Sequence, residues 1–403
     1  MGIETISGQV FEKVDNSGWE NLVEKNETSW DDLKNVEFRG GVQNESWYGP
    51  EQVEKLEEMG VKSFKIFMRP PPIEKTIGLR NGEWRKVQAR FDNLDEWSPE
   101  RLKLHEQIID EMMPKIDALS QRLRQHEIEE GRGPTIYCLR GTCGSGKSRA
   151  LRNGLFEGIL DENGKPSGTL APDVLKTPLR GGVMNHAQVH DESAMLNREI
   201  SRIVHKKALE EPYSMVYDKL MAYETDFEDV FKDAKETNRE VAILDMDVPL
   251  ELSAVRVLTR TKTGEDPILD FDGVANAFTS VRKNRSALIK QMSENGDRMS
   301  SYTLRAFDPE VKEVVEVAKL RDGRIKALPG KEKIAERAVV STDEEIDEEV
   351  EKVKNTVITE DFIKYFDDRY FDDESKRFAV KNIAALREYM GKTLSEALND
   401  KSK

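Results

Sequence analysis

The chain has 403 residues, enough for one large domain or two ordinary ones. Its 62 Lys and Arg residues are outnumbered by 77 Asp and Glu residues, which gives a net charge of -15. Because affinity for nucleic acids depends on a basic surface, this balance argues against a general DNA- or RNA-binding protein. The sequence contains no run of about 20 apolar residues and no signal-peptide core, so we expect neither membrane insertion nor general secretion.

The first 97 residues carry weak structural signals. Residues 1–45 are polar and weakly periodic, which is typical of a loosely ordered leader. Within residues 46–97, the apolar run 64–68 is followed by three consecutive prolines at 70–72. Because proline cannot donate a ladder hydrogen bond, this pattern predicts a strand that stops at the prolines, inside a small accessory element.

A helix and a short strand then lead into a glycine-rich loop. Pro99 suits a first helical turn, and apolar residues recur at helical spacing over residues 108–123. Residues 135–139 form a short apolar strand that runs directly into the loop. The two cysteines, Cys138 and Cys143, lie on this strand and loop, where a disulfide would compete with the loop's function, so we expect free thiols.

The loop matches the phosphate-binding pattern G-x-x-x-x-G-K-[ST] in full. Its predicted nucleotide-binding residues are Gly141, Thr142, Cys143, Gly144, Ser145, Gly146, Lys147 and Ser148. Glycines allow backbone N–H groups to curl around phosphates, Lys147 adds positive charge, and the Ser148 hydroxyl suits Mg²⁺ as a ligand. We therefore predict that the chain binds ATP and Mg²⁺.

Beyond the loop, helical and strand patterns alternate as far as about residue 328. Strands are predicted at residues 214–217, 241–244 and 302–307, and a hairpin over residues 314–328 that turns at Asp322 and Gly323. This alternation predicts an α/β fold with a doubly wound parallel sheet and helical additions at both ends. A P-loop domain is expected over residues 98–330, followed by an acidic helical C-terminal extension over residues 331–403.

Three segments after the P-loop resemble those of the zeta-toxin family of P-loop kinases: residues 169–176, residues 190–193, and residues 241–260. That family includes toxins that phosphorylate UDP-N-acetylglucosamine and plant-pathogen type III effectors that phosphorylate NAD on the adenosine ribose. The resemblance spans about residues 132–328. It implies a kinase domain that transfers the γ-phosphate of ATP to a hydroxyl group.

Residues 169–176 are similar to the family's strand that ends in an Asp followed by a helix. The resemblance implies that Asp173 is the general base, and it places Lys176 among the substrate-binding residues. A carboxylate within hydrogen-bond reach of the attacking hydroxyl can accept the proton that this hydroxyl must lose. The alternative role for Asp173 is a helix N-cap.

Residues 190–193 resemble the family's H-x-E-S run, which implies that Glu192, together with His190, binds the substrate. In residues 241–260 a strand leads through Val248 and a proline into a helix with two arginines, Arg256 and Arg260. The resemblance implies contacts to the ATP phosphates, and the spacing from Val248 favours Arg260 as the catalytic arginine. The alternative for both is an ordinary surface arginine.

The sequence departs from the family pattern in two places. The family's second lid arginine is expected within residues 262–275, which contain none, so Arg282 and Arg285 are the candidates to replace it. The metal carboxylate is either Asp218 or Asp245, because both follow an apolar strand. The family resemblance favours Asp218, and the longer apolar run favours Asp245.

The long N-terminal region and helical C-terminal region favour the NAD-phosphorylating effectors over the UDP-sugar toxins. The sequence thus predicts a toxin or effector kinase of the bacterial cytoplasm, or one delivered into a host by a specialised secretion system. An antitoxin or chaperone-like inhibitor is its expected partner. Two competing hypotheses are a nucleotide-dependent switch, whose guanine-reading N-K-x-D run is absent, and a polynucleotide kinase, against which the acidic charge argues.

Overall fold

A computed structural model describes residues 2–4, 10–12, 99–154, 156–180, 189–218, 220–260, 269–321, 323–339, 341–370 and 383–402. These residues form two compact units, Met1–Pro114 with Ala171–Ile203 and Lys115–Leu170 with Val204–Lys403. The strand predicted at residues 64–68, the prolines after it and residues 262–268, the first half of the predicted lid segment, lie outside the described residues.

The strands are β1 (Gly2–Glu4), β2 (Val10–Glu12), β3 (Thr135–Gly141), β4 (Met215–Asp218), β5 (Glu240–Asp247), β6 (Met299–Asp308), β7 (Glu313–Arg321) and β8 (Arg324–Ala327). The α-helices are α1 (Pro99–Glu129), α2 (Lys147–Arg152), α3 (Pro172–Arg180), α4 (His190–Glu210), α5 (Glu224–Glu236), α6 (Leu250–Leu258), α7 (Phe271–Lys283), α8 (Arg285–Glu294), α9 (Glu332–Val339), α10 (Asp343–Lys354), α11 (Glu360–Tyr370) and α12 (Leu394–Ser402). Within the described ranges, no helix is long and apolar enough to cross a membrane.

The first unit contains β1 and β2, which pair antiparallel with Ile3 opposite Phe11. It also contains the start of α1, all of α3 and the first part of α4. Each of these helices buries apolar side chains three or four residues apart: Ile108 and Met112 in α1, Leu175 and Leu179 in α3, Leu196 and Ile200 in α4. This spacing gives each helix an apolar face.

The second unit is built on a six-stranded sheet with the order β4-β3-β5-β6-β7-β8. Strands β4, β3, β5 and β6 run parallel, and β7 and β8 continue the sheet antiparallel. The predicted α/β fold is confirmed, and β3 to β8 overlap the strands predicted at residues 135–139, 214–217, 241–244, 302–307 and 314–328. Strands β7 and β8 form an antiparallel hairpin in which Arg321 pairs with Arg324, and this hairpin makes the sheet mixed rather than wholly parallel.

Strand β3 lies inside the sheet, between β4 and β5, and all seven of its residues are buried. A parallel strand covered on both faces typically reads as a continuous apolar run, and this is why residues 135–139 stand out in the sequence. A core cluster joins β3 to the second half of α1 and to α2. Its members are Leu119, Leu123, Tyr137, Leu139, Leu151, Ile159, Val216 and Ala242.

The C-terminal extension shares a hydrophobic core with α6 and α7. From the two helices this core takes residues such as Leu250, Val255 and Phe278, and from the extension it takes residues such as Phe366 and Leu398. Burial of apolar surface on this scale is the main favourable contribution to folding. The extension is therefore an integral part of the second unit.

Strand β5 ends in two buried carboxylates, Asp245 and Asp247, which are neutralised by arginines. Asp245 accepts hydrogen bonds from Arg140 Nη1 at 2.8 Å and from Arg285 Nε at 2.8 Å. Asp247 accepts from Arg282 Nη2 at 2.9 Å and from Arg285 Nη1 at 3.2 Å. Burial raises the pKa of Asp245, but the charges of Arg140 and Arg285 outweigh burial and hold this pKa well below its ordinary value. The ion pairs thus keep the carboxylate charged inside the core.

We predict that Tyr302→Phe destabilises the second unit. The Tyr302 hydroxyl is buried and donates to Asp245 Oδ2 at 3.0 Å. A hydrogen bond to a charged group contributes about 1.5–3 kcal/mol, so the free energy of unfolding in urea should fall by about this amount. The matched control is Tyr365→Phe on the exposed face of α11. This substitution should change the free energy of unfolding by less than about 0.5 kcal/mol. Equal losses of unfolding free energy in the two variants would show that the hydrogen bond from Tyr302 to Asp245 does not stabilise the unit.

Candidate active site

The loop between β3 and α2 depends on glycines that approach other backbone segments closely. Gly141 has φ +143°, and a Cβ atom there would lie 2.6 Å from the carbonyl oxygen of Met246. Gly144 has φ +75°, and its Cβ would lie 3.0 Å from the carbonyl oxygen of Ser253. Both positions therefore exclude a side chain, and the loop is pressed against the end of β5 and against α6.

Inside the loop, polar groups are arranged around a space suited to an anion. Lys147 Nζ donates to the carbonyl oxygens of Gly141 at 2.6 Å and Thr142 at 3.1 Å. The Thr142 and Ser145 hydroxyls are buried and have no hydrogen-bond partner among the described residues. A buried polar group without a partner is costly, and phosphate oxygens are acceptors that such hydroxyls can satisfy.

Helix α6 supports the loop from outside. Ser253 Oγ donates to the carbonyl oxygen of Cys143, and Arg256 Nη1 donates to that of Gly144 at 2.9 Å. Burial, together with the nearby charges of Arg149 and Arg260, lowers the pKa of Arg256 to about 10. Several cations are thus held close together against their mutual repulsion, and a bound polyphosphate would relieve this repulsion.

Asp218 ends β4, next to the P-loop strand and opposite Leu139. Because β3 and β4 are parallel, their carboxyl ends lie at the same edge of the sheet, where α/β folds bind ligands. The segment after Asp218 is held by hydrogen bonds from Arg140 Nε to the Met221 carbonyl oxygen, at 3.1 Å, and from Asn284 Nδ2 to the Ala222 carbonyl oxygen, at 2.8 Å. The Asp218 backbone pairs with β3, the strand that leads into the loop, and its N–H donates to the carbonyl oxygen of Leu170.

The other metal candidate, Asp245, has a different role. Its carboxylate is fully buried and already bound by Arg140 and Arg285, which leaves no exposed oxygen for a metal. The proposed substitute lid arginines are also buried: Arg282 pairs with Asp247 and Arg285 with both aspartates. The structure thus argues against Asp245 as metal ligand and against Arg282 or Arg285 as a mobile lid residue.

Asp173 and Lys176 lie in the first unit, on α3. Asp173 is in the first turn of this helix, with its side chain 51% exposed, and its Oδ1 accepts a hydrogen bond from the buried Lys176 Nζ. The expected strand before Asp173 is reduced to one isolated bridge between Leu170 and Tyr217. An exposed carboxylate fixed by a buried ammonium is available to a ligand on its free side.

Glu192 lies near the start of α4 and is fully buried. Its Oε1 lies 2.7 Å from Nε2 of His105 on α1. His190 begins α4, and its side chain lies outside the described residues. His105 was not predicted from the sequence, because 87 residues separate it from its partner.

The structure therefore groups the predicted residues in two sets. The P-loop, Arg256, Arg260 and Asp218 belong to one unit, and Asp173, Lys176 and Glu192 belong to the other. Sequence reasoning missed Arg149, Ser253 and His105. A signal existed for Arg140, since a charged residue within a buried apolar strand requires a partner of opposite charge.

A glycine-rich loop that follows a buried parallel strand and contains a lysine at the start of the next helix, with arginines nearby, is the arrangement of the P-loop kinases. Residues 119–311 match the family model described as Zeta toxin. Residues 119–311 therefore carry a Zeta toxin domain, and the chain is a phosphotransferase. No curated protein matches the chain.

Solved structures extend the similarity beyond the region matched by the family model. A chain of the native AvrRxo1-ORF1:AvrRxo1-ORF2 complex is 27% identical, with a TM-score of 0.69, over 87% of this chain and 98% of that chain. The same complex with sulphate ions gives 28% identity and a TM-score of 0.67, over 79% of this chain and 93% of that chain. A further structure of the complex contains ATP, with 28% identity and a TM-score of 0.67, over 79% and 94% of the two chains.

We predict that Gly144→Ala weakens ATP binding at least about tenfold, since a left-handed non-glycine residue costs roughly 1–2 kcal/mol and the new methyl group meets the Ser253 carbonyl. Titration with a fluorescent ATP analogue measures this affinity. The control is Gly164→Ala, which has a similar φ of +68° but no atom within 4 Å of the added Cβ. Gly164→Ala should bind ATP as the wild type does, and equal weakening in both variants would contradict the prediction.

Proposed function

We propose that the chain is an ATP-dependent small-molecule kinase that transfers the γ-phosphate to a hydroxyl group of a nucleotide-type metabolite. The observation that carries this proposal is the cation-rich surroundings of the loop. Lys147 and Arg256 donate to loop carbonyl oxygens, and two buried loop hydroxyls have no hydrogen-bond partner among the described residues. An ATP-bound structure of a chain 28% identical to this one supports ATP as the donor.

In the proposed mechanism the P-loop residues bind the triphosphate. Lys147 and Arg256 neutralise phosphate charge, and Arg260 stabilises the charge that develops on the transferred phosphoryl group. Ser148 and Asp218 would hold Mg²⁺, which supplies further positive charge to the phosphates. These oxygen donors suit Mg²⁺, which is usually bound by one or two carboxylates and substrate phosphates.

On the acceptor side, we assign Asp173 as the general base. Its half-exposed carboxylate accepts the proton of the acceptor hydroxyl. The ion pair with Lys176 holds this carboxylate in place. The hydroxyl oxygen then forms a bond to the γ-phosphorus, the bond to the β–γ bridging oxygen breaks, and ADP leaves. Glu192, with His190, binds the acceptor, and the contact with His105 fixes the Glu192 carboxylate.

We propose NAD as the acceptor, phosphorylated on a hydroxyl of the adenosine ribose. The similarity to the AvrRxo1-ORF1:AvrRxo1-ORF2 complex covers up to 87% of this chain, which supports the effector layout that favours NAD. UDP-N-acetylglucosamine is the alternative acceptor. We further propose action as a toxin or host-delivered effector, with a small inhibitor protein as partner, since the similar chains are solved in complexes of two proteins.

Incubation with ATP, Mg²⁺ and NAD should give a dinucleotide heavier by one phosphate, detected by mass spectrometry, while UDP-N-acetylglucosamine stays unmodified. Lys147→Ala is the inactive control, because it removes the charge that faces the phosphates. If only UDP-N-acetylglucosamine is phosphorylated, this sugar nucleotide, and not NAD, is the acceptor. ATP hydrolysis without either product would favour the nucleotide-dependent switch.

Asp173→Asn should lower the phosphate-transfer rate by about 10² or more, the usual contribution of a general base, with unchanged ATP affinity. The control is Asp272→Asn, another exposed carboxylate in the first turn of a helix, which should leave the rate unchanged. Single-turnover kinetics measure the rate, and titration measures the affinity. A parallel loss of ATP binding would instead make Asp173 a structural or metal-binding residue.

A further inference from the structure

Helix α6, which supports the P-loop, lacks an N-terminal cap from its own sequence. Its N-cap residue is Pro249, whose side chain makes no capping hydrogen bond. The first N–H groups and last carbonyls of a helix have no partners within the helix and need others. At α6 these partners come from the C-terminal extension, at both ends of the helix.

At the beginning of α6, the Leu250 N–H donates to Glu349 Oε1 of α10 at 2.9 Å. At its end, Lys401 Nζ of α12 donates to the carbonyl oxygens of Leu258 and Arg260, the second at 2.6 Å. A carboxylate near the N-terminus and an ammonium near the C-terminus also complement the helix dipole. Two charged side chains of the extension thus hold the two ends of one short helix.

The extension also contacts the side of α6. Glu251 is hydrogen-bonded to Tyr370 of α11, and burial raises the pKa of Glu251. Leu250 and Leu258 belong to the same core cluster as Leu398 of α12. The position and rotation of α6 are therefore fixed by the extension.

The remaining face of α6 carries the side chains that contact the P-loop. Ser253 and Arg256 are three residues apart, so they lie on the same face, and they donate to the carbonyl oxygens of Cys143 and Gly144. Burial and the like charges of Arg149 and Arg260 act against the charged form of Arg256. The hydrogen bond to Gly144 and the packing of α6 in the core hold Arg256 in place against these like charges.

We infer that the C-terminal extension positions Arg256 in the nucleotide site, with Lys401 and Glu349 as positioning residues. The chain of contacts runs from Lys401 to the end of α6, along the helix to Arg256, and from Arg256 to Gly144 of the P-loop. This inference rests on the proposed role of Arg256 in binding ATP phosphates. It gives the extension a function in the binding of ATP.

The test compares Lys401→Met with Lys392→Met in the full chain. Lys392 lies on the same extension, but it is exposed and pairs with Asp400. Lys401→Met should weaken ATP binding about tenfold and raise KM for ATP, with little change in KM for the acceptor. Lys392→Met should leave both unchanged, and Lys401→Arg, which keeps a cation near the end of α6, should weaken ATP binding less than Lys401→Met does.

A double-mutant cycle separates positioning from general stability. If Lys401 acts through Arg256, Lys401→Met should have almost no further effect on ATP affinity in an Arg256→Ala background. Thermal unfolding of every variant monitors folding. If Lys401→Met does not fold, removal of residues 401–403 tests the same contact with the preceding turns of α12 intact.

The inference is overturned if folded Lys401→Met binds ATP like the wild type, or if its effect is undiminished when Arg256 is Ala. A wild-type chain that binds no ATP would instead contradict the proposed function itself. The two failures are thus distinguished by the wild-type titration alone.

Discussion

Arg140 lies in the buried strand β3, immediately before the P-loop, and its guanidinium is fully buried. Such a charge is tolerated inside a protein only with well-aligned partners, since the loss of one partner from a buried pair costs roughly 3–5 kcal/mol. Arg140 pairs directly with Asp245. Arg285 connects Asp245 to Asp247, and Arg282 connects Asp247 to Glu349. Three arginines and three carboxylates therefore meet at the end of β5.

This cluster joins the parts of the unit that must keep their places around the loop. Arg140 also donates to the carbonyl oxygen of Met221, in the segment that follows Asp218. Glu349 uses one oxygen for Arg282 and the other for the first N–H of α6. The P-loop strand, the candidate metal carboxylate and the extension are thus connected by a single set of charges, whose hydrogen bonds admit few other arrangements.

The chain is acidic overall, whereas the proposed nucleotide site is locally basic. Lys147, Arg149, Arg256 and Arg260 surround a loop whose backbone N–H groups are suited to phosphate. A net charge of -15 disfavours long polyanions, but a small nucleotide contacts only the basic site. Local charge, more than net charge, therefore determines which ligand is bound. The C-terminal extension contributes to this site because it packs against α6 and caps it.

By itself, the sequence determined the P-loop residues, the α/β fold and the approximate positions of the main strands. These features depend on residues close together in the chain, where spacing and apolar periodicity are direct consequences of local geometry. Only the tertiary structure decided that Asp245 is a core ion-pair partner, that His105 contacts Glu192, and that Lys401 caps α6. Those contacts join residues 105, 87 and 143 positions apart, and no local pattern records which distant side chains come together.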